Sequence, residues 1–277
     1  MLSAGRESGA GDVAGRRNGL ETLAKMAGGS SCVVANVEDR QLNDDVGMRV
    51  YAPEDTQGVM LYLHGGGWVA GSLETHDGVC RRLALSSGKQ VVALDYRRAP
   101  EHPFPAALDD AWAALNLLAA DGPVTVAGDS AGGAIAAALC LKARDAGGPA
   151  IDRLLLICPI LDLAGEALSR TEFANGFFIE RAAFDADVAA WCPDRDLRQN
   201  EAVSPLLAKS LAGLPPVDIH TAEFDPFRDE GEAFAARLQD AGVPVRLTRH
   251  DGMIHYFYAL PDLLPYAEVA LKDMGTF

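Results

Sequence analysis

The chain reads as an α/β protein: a mostly parallel central sheet with helices over both faces. Three observations lead there. Short apolar, β-branched runs recur along the sequence. Between most of them lie longer stretches with helical composition, the spacing that parallel crossovers need. One run, Val124-Thr125-Val126-Ala127, passes through Gly128-Asp129-Ser130-Ala131-Gly132-Gly133 straight into the Ala- and Leu-rich residues 134–141, so strand, tight turn and helix follow one another without a loop. At 277 residues there is room for one large domain.

In chain order, residues 1 to about 17 are rich in Gly, Ser and Arg without periodicity and read as mobile. Residues 20–27 are a short amphipathic helix stopped by Gly28-Gly29. Residues 32–38 and 47–52 read as strands, and Asn43-Asp44-Asp45 supplies the turn of an antiparallel hairpin. Strands follow at 59–63, 90–96, 124–127, 153–158, 216–222 and 245–249. Helices are expected at about 74–86, 106–120, 134–141, 230–241 and 263–274. The stretch 164–202 is too long for a plain connection and holds a helical run at 181–191. Together with the first helix it reads as a lid over the strand ends. The division is therefore an N-terminal segment, 1–47, and a main domain, 48–277, with the lid insertion at 164–202.

A formal net charge of −15 disfavours nucleic acid and anionic membranes as partners. No apolar run approaches the roughly 20 residues of a membrane span, and no secretory leader pattern is visible. The cysteines (Cys32, Cys80, Cys140, Cys158 and Cys192) are odd in number and scattered, as expected of free thiols in a reducing compartment, so a cytoplasmic location is expected.

Ser130 stands at the corner of the strand–helix turn. Such a turn holds its serine in a strained conformation with the hydroxyl pushed out, and glycines on either side let strand and helix approach. The helix start adds backbone N–H groups where an oxyanion would form. A second stretch, His64-Gly65-Gly66-Gly67-Trp68, follows the strand at 59–63. It lacks the Gly-Lys-Ser/Thr of a phosphate loop and the glycine spacing of a dinucleotide turn. An oxyanion hole remains, with the N–H groups of Gly66 and Gly67 joined by that of Ala131. His64 is expected to orient this loop. Asp129 is expected to make local backbone bonds near the turn.

These stretches, with Asp95-Tyr96-Arg97-Arg98-Ala99-Pro100-Glu101-His102-Pro103-Phe104-Pro105-Ala106-Ala107 between them, resemble the hormone-sensitive-lipase-like branch of the α/β-hydrolases over roughly residues 48–277. The resemblance implies the α/β-hydrolase fold and a serine nucleophile followed along the chain by its acid and base. Of the later histidines, His255 stands at the family's position for the base, although Tyr256 replaces the glycine common there. His220 lies within a strand and reads as core; His250 ends one and reads as solvated. Asp225, in Glu223-Phe224-Asp225-Pro226-Phe227-Arg228-Asp229-Glu230, matches the acid. Asp229 and Glu230 read as helix caps, and Glu223 as a supporting group. Arg97, Glu101 and His102 read as a buried polar scaffold. Trp68, Phe178 and Trp191 are candidates for the substrate-binding wall, or ordinary core.

The expected activity is hydrolysis of short- to medium-chain carboxylic esters through an acyl-enzyme, without metal or cofactor. An arylformamidase, amidase or lactonase using the same residues stays open, as does a non-catalytic receptor of the same fold. The strand at 245–249, if it lies at the sheet edge, offers a route to a homodimer.

Overall fold

The computed structural model describes residues 12–29 and 32–276. Its centre is an eight-stranded sheet built from β1 (Asn36–Gln41), β2 (Gly47–Ala52), β3 (Val59–Leu63), β4 (Gln90–Asp95), β5 (Val124–Asp129), β6 (Ile151–Ile157), β7 (Val217–Phe224) and β8 (Val245–Ile254). The spatial order is β1-β2-β4-β3-β5-β6-β7-β8. The first two pairings are antiparallel and the rest parallel.

Period-2 alternation sorts the strand side chains onto two cores. Leu61 and Leu63, Val92 and Leu94, Val124 and Val126, Leu154 and Leu156 enter one core; there they meet helices α3 (Ala106–Leu118), α4 (Ser130–Ala146) and α7 (Arg228–Asp240). Met60 and Tyr62, Val91 and Ala93, Leu155 and Ile157 enter the other, against α2 (Asp77–Ser87) and α8 (Tyr266–Gly275). Each aliphatic side chain fully buried this way contributes about 1.5–3 kcal/mol, which is why the strands read as continuous apolar runs. The remaining helices are α1 (Val13–Ala27) and, between β6 and β7, α5 (Leu168–Glu172) and α6 (Arg181–Trp191). Among the described residues, no helix is long and apolar enough to cross a membrane.

Several boundaries differ from expectation. Residues 1–11 lie outside the described residues, but 12–17 are not an irregular lead-in: α1 begins at Val13, capped by Asp12, which accepts from Gly15 N at 2.8 Å. Poor helix formers there are outweighed by tertiary bonds of Arg16 and Arg17. The first strand lies at 36–41 rather than 32–38, because the hairpin turn pairs Gln41 with Gly47 and sets the register. The helix after the central strand starts at Ser130, four residues early, and β8 runs on to Ile254 and delivers the chain to His255.

Candidate active site

Parallel pairing of β3 with β5 sets Leu63 opposite Gly128, so the two glycine-rich stretches leave the sheet side by side. Ser130 has φ 50°, the left-handed region that a residue with a Cβ rarely adopts. The strain is held by close packing: a Cβ on Gly132 would collide with the carbonyl oxygens of Leu63 and His64. Beneath the turn, Asp129 is fully buried and accepts from Gly65 N (2.9 Å), Tyr62 OH (2.7 Å) and Tyr258 OH (2.6 Å), with His76 Nε2 at 3.2 Å. Burial alone would raise its pKa, but the charge and hydrogen bond of His76 and the two tyrosine hydroxyls outweigh it and hold the carboxyl at about 2. Asp129 therefore fastens the glycine loop to the serine turn across the sheet, rather than bonding locally.

The serine meets its partners over long sequence separations. His255 Nε2 lies 3.0 Å from Ser130 Oγ, and His255 Nδ1 lies 2.8 Å from Asp225 Oδ2. A carboxylate only accepts, so Nδ1 carries the proton and Nε2 is left to accept from the serine hydroxyl. Asp225 is fixed in turn by Phe227 N, which donates to Oδ1 at 2.8 Å. Glu223 Oε2 accepts from Gly252 N at 2.7 Å and braces the loop that carries His255. Tyr256 has a φ of 68°, in the left-handed region that glycine enters most easily. The buried Cys158 thiol lies beside Asp225 and His255, a trio whose ligand atoms fall within 4.8 Å of one another. Burial and the Asp225 charge push that thiol well above its ordinary pKa, so it stays a neutral S–H.

Gly66 and Gly67, with φ 119° and 64°, border the same cavity as Ser130 and His255, which measures about 360 Å³. Neither glycine N–H donates to another group among the described residues, and the N–H of Ala131, in the first turn of α4, has no helical partner. His64 accepts its expected place: Nδ1 sits 2.9 Å from Gly65 O, and its ring stacks on Tyr96 at 4.3 Å. Burial, followed by the neighbouring His76, pushes its pKa down to about 3, so the ring is neutral.

Of the candidate wall residues, Phe178 borders the cavity and stacks on Tyr256 at 5.2 Å. Trp68 and Trp191 do not. They are 0% and 2% exposed and stack on each other at 4.2 Å behind the glycine loop, joining α6 to it through apolar area. Other expectations also fail. His250 is buried, not solvated: it lies 2.9 Å from His220 Nδ1 and 3.0 Å from Tyr266 OH. His220 is core, as expected, with Nε2 2.9 Å from Asp218. Glu101 and His102 are exposed, and only Arg97 has a buried partner, Asp110. Asp229 and Glu230 do not cap α7. Asp229 accepts from Ser169 N, and the buried Glu230 takes Leu161 N, Asp162 N and Arg170, so both fasten the segment between β6 and β7. Burial pushes the Glu230 carboxyl up to about 7 against the pull of Arg170.

Arg16 and Asp187, an ion pair not foreseen from the sequence, also border the cavity. Arg16 of α1 bonds both carboxylate oxygens of Asp187 of α6. A signal existed for Asp187: it lies on the stripe of α6 that carries Phe184, Val188 and Trp191, an acid on an apolar face. Arg16 gave none.

An α/β-hydrolase-fold family model matches residues 60–259. Carboxylesterase NlhH of Mycobacterium tuberculosis is 40% identical over 240 residues, 82% of this chain and 75% of its own. Among solved structures, ester-hydrolase EH1AB1 from the metagenome of Lake Arreo superposes with a TM-score of 0.91 at 37% identity, covering 95% of this chain and 88% of its own. The hyperthermophilic esterase of Pyrobaculum calidifontis gives 0.90 at 36%, covering 96% and 92%. The fold and the strand–serine–helix corner thus define an α/β-hydrolase. The chain belongs to that family, in its hormone-sensitive-lipase-like branch.

Proposed function

We propose that the protein is a serine carboxylesterase for short- to medium-chain esters. The observation that carries this is the Asp225–His255–Ser130 chain of two hydrogen bonds, opening on a cavity bordered by Gly66 and Gly67. Ser130 Oγ attacks the ester carbonyl carbon while His255 Nε2 takes its proton. Asp225 holds the ring in the required tautomer and stabilises the imidazolium. The N–H groups of Gly66, Gly67 and Ala131 receive the oxyanion; each such donor is worth about 3–4 kcal/mol in the transition state. His255 then protonates the departing alcohol, and water repeats the cycle on the acyl-enzyme.

The cavity volume, about 360 Å³, supports small esters, since it lies at the lower end of ligand sites. In this proposal α1 and residues 164–202 form the lid, and Phe178 is part of the acyl wall. The enzyme acts in the reducing cytoplasm, for which the five free thiols argue. Two copies pair through β8, which ends the sheet with an open edge; a monomer by light scattering would exclude that pairing.

The test is release of p-nitrophenol from acetate, butyrate, octanoate and palmitate esters, with Ser130→Ala alongside. The short esters are expected to turn over, and the variant to lose at least about 10⁴-fold while keeping its fold. Silence on every ester with cleavage of a matched amide, formamide or lactone would reassign the substrate class. Tight ligand binding without turnover of any of them would make the protein a receptor.

A further inference from the structure

Arg16 and Asp187 take no part in the mechanism above, yet both border its cavity. They reach it from opposite parts of the chain, and the guanidinium grips both oxygens of the carboxylate. Asp187 is only 4% exposed. It also lies hard against the glycine loop: a Cβ on Gly67 would overlap Asp187 Oδ2. A buried negative charge at that point opposes the charge that develops on the substrate oxygen beside Gly67, and the low-dielectric wall screens it poorly. Arg16 is the cation that answers it. A guanidinium whose fork is already filled by a carboxylate is also poorly placed to read a carboxylate on the substrate.

We infer that Arg16 is a positioning residue that neutralises Asp187 at the oxyanion loop, so that Asp187 seats α6 against Gly67 without opposing the oxyanion. The active site is then incomplete without α1, the helix that brings Arg16. This rests on the esterase reading and on Gly67 as an oxyanion donor.

The experiment is a double-mutant cycle read as kcat and KM separately on p-nitrophenyl butyrate: Arg16→Gln, Asp187→Asn, the two combined, and Arg16→Lys. Arg16→Gln is expected to lower kcat about 10- to 100-fold with KM changed less than about threefold, because only the transition state carries the opposed charge. Adding Asp187→Asn to it should recover at least about tenfold in kcat, and Arg16→Lys should keep most of it. A double variant as slow as Arg16→Gln, with all variants folded by circular dichroism, would overturn the inference and leave the pair a simple fastener. So would an unchanged kcat in Arg16→Gln. If Arg16→Gln does not fold, the double variant, which carries neither charge, is compared with the unaltered protein: a kcat within about threefold supports the inference, and a deficit of about tenfold overturns it. Absence of ester turnover in the unaltered protein would instead sink the esterase reading.

Discussion

Asp129 and Asp187 are both carboxylates buried beside one cavity, the first in its floor and the second in its roof. Asp129 is served by a backbone amide, two tyrosine hydroxyls and a histidine, all carried on or next to the sheet. Asp187 depends on one arginine 171 residues away. The same contrast runs through both regions. The floor is held by strand register, by glycines in backbone contact and by a dense apolar core. The roof is fastened by ion pairs: Arg16–Asp187, Arg17–Glu101, Arg170–Glu230 and Arg181–Glu166. The geometry of the candidate site thus rests on the sheet and the loops leaving it, whereas the enclosure adds these long-range ion pairs to the apolar contacts of Phe184, Val188 and Trp191.

The largest effect should come from breaking the floor. Gly132→Ala drives a methyl into the Leu63 and His64 carbonyls, and a loss of about 3–5 kcal/mol is expected by urea unfolding, with activity lost alongside. A stable, active Gly132→Ala protein would show that the floor yields more easily than its packing implies. In the roof, Arg170→Met leaves Glu230 without its cation and should cost about 3 kcal/mol, partly restored when Glu230→Gln is added. Failure of that restoration would mean the arginine acts by packing on Phe184 and Phe227 instead.

Acid should weaken the sheet at His250 of β8. His250 has its pKa pushed down to about 4 from 6.5 by burial and by His220, so the folded state binds fewer protons than the unfolded one. Its contribution is complete above pH 6.5 and is lost as pH falls toward 4, by about 2–3 kcal/mol. His250→Gln should flatten that part of a stability–pH curve; an unchanged slope would assign acid sensitivity elsewhere. The smallest effect belongs to Phe178→Ala, which should raise KM for the octanoate ester about three- to tenfold with kcat nearly unchanged. Equal KM across chain lengths would remove Phe178 from the acyl wall.

How far the sequence could be read follows the same division. The strands were legible because a sheet buried on both faces demands unbroken apolar runs, as at Val91–Leu94 and Leu154–Ile157. Helix α6 was read to its ends, since its apolar stripe is strictly periodic. Helix α1 was misread at its start because Gly15, Asn18 and Gly19 are poor helix formers and distant carbonyls and carboxylates hold Arg16 and Arg17. For Trp68 and Trp191 the sequence leaves cavity wall and ordinary core both open, because whether an aromatic side chain faces a cavity or its back wall depends on packing with other segments.

By itself, then, the sequence determined what is local: the alternation that makes a covered parallel sheet, the glycines without which Ser130 could not sit at its corner, and the positions of Ser130, Asp225 and His255 at the ends of strands. Only the tertiary structure decided which carboxylate meets which cation, that Asp129 ties two loops together, that His250 is buried, and that an arginine from the first helix pairs with the aspartate lying against Gly67. Those outcomes are set by long-range contacts between segments far apart in the chain, and no periodicity or spacing encodes them.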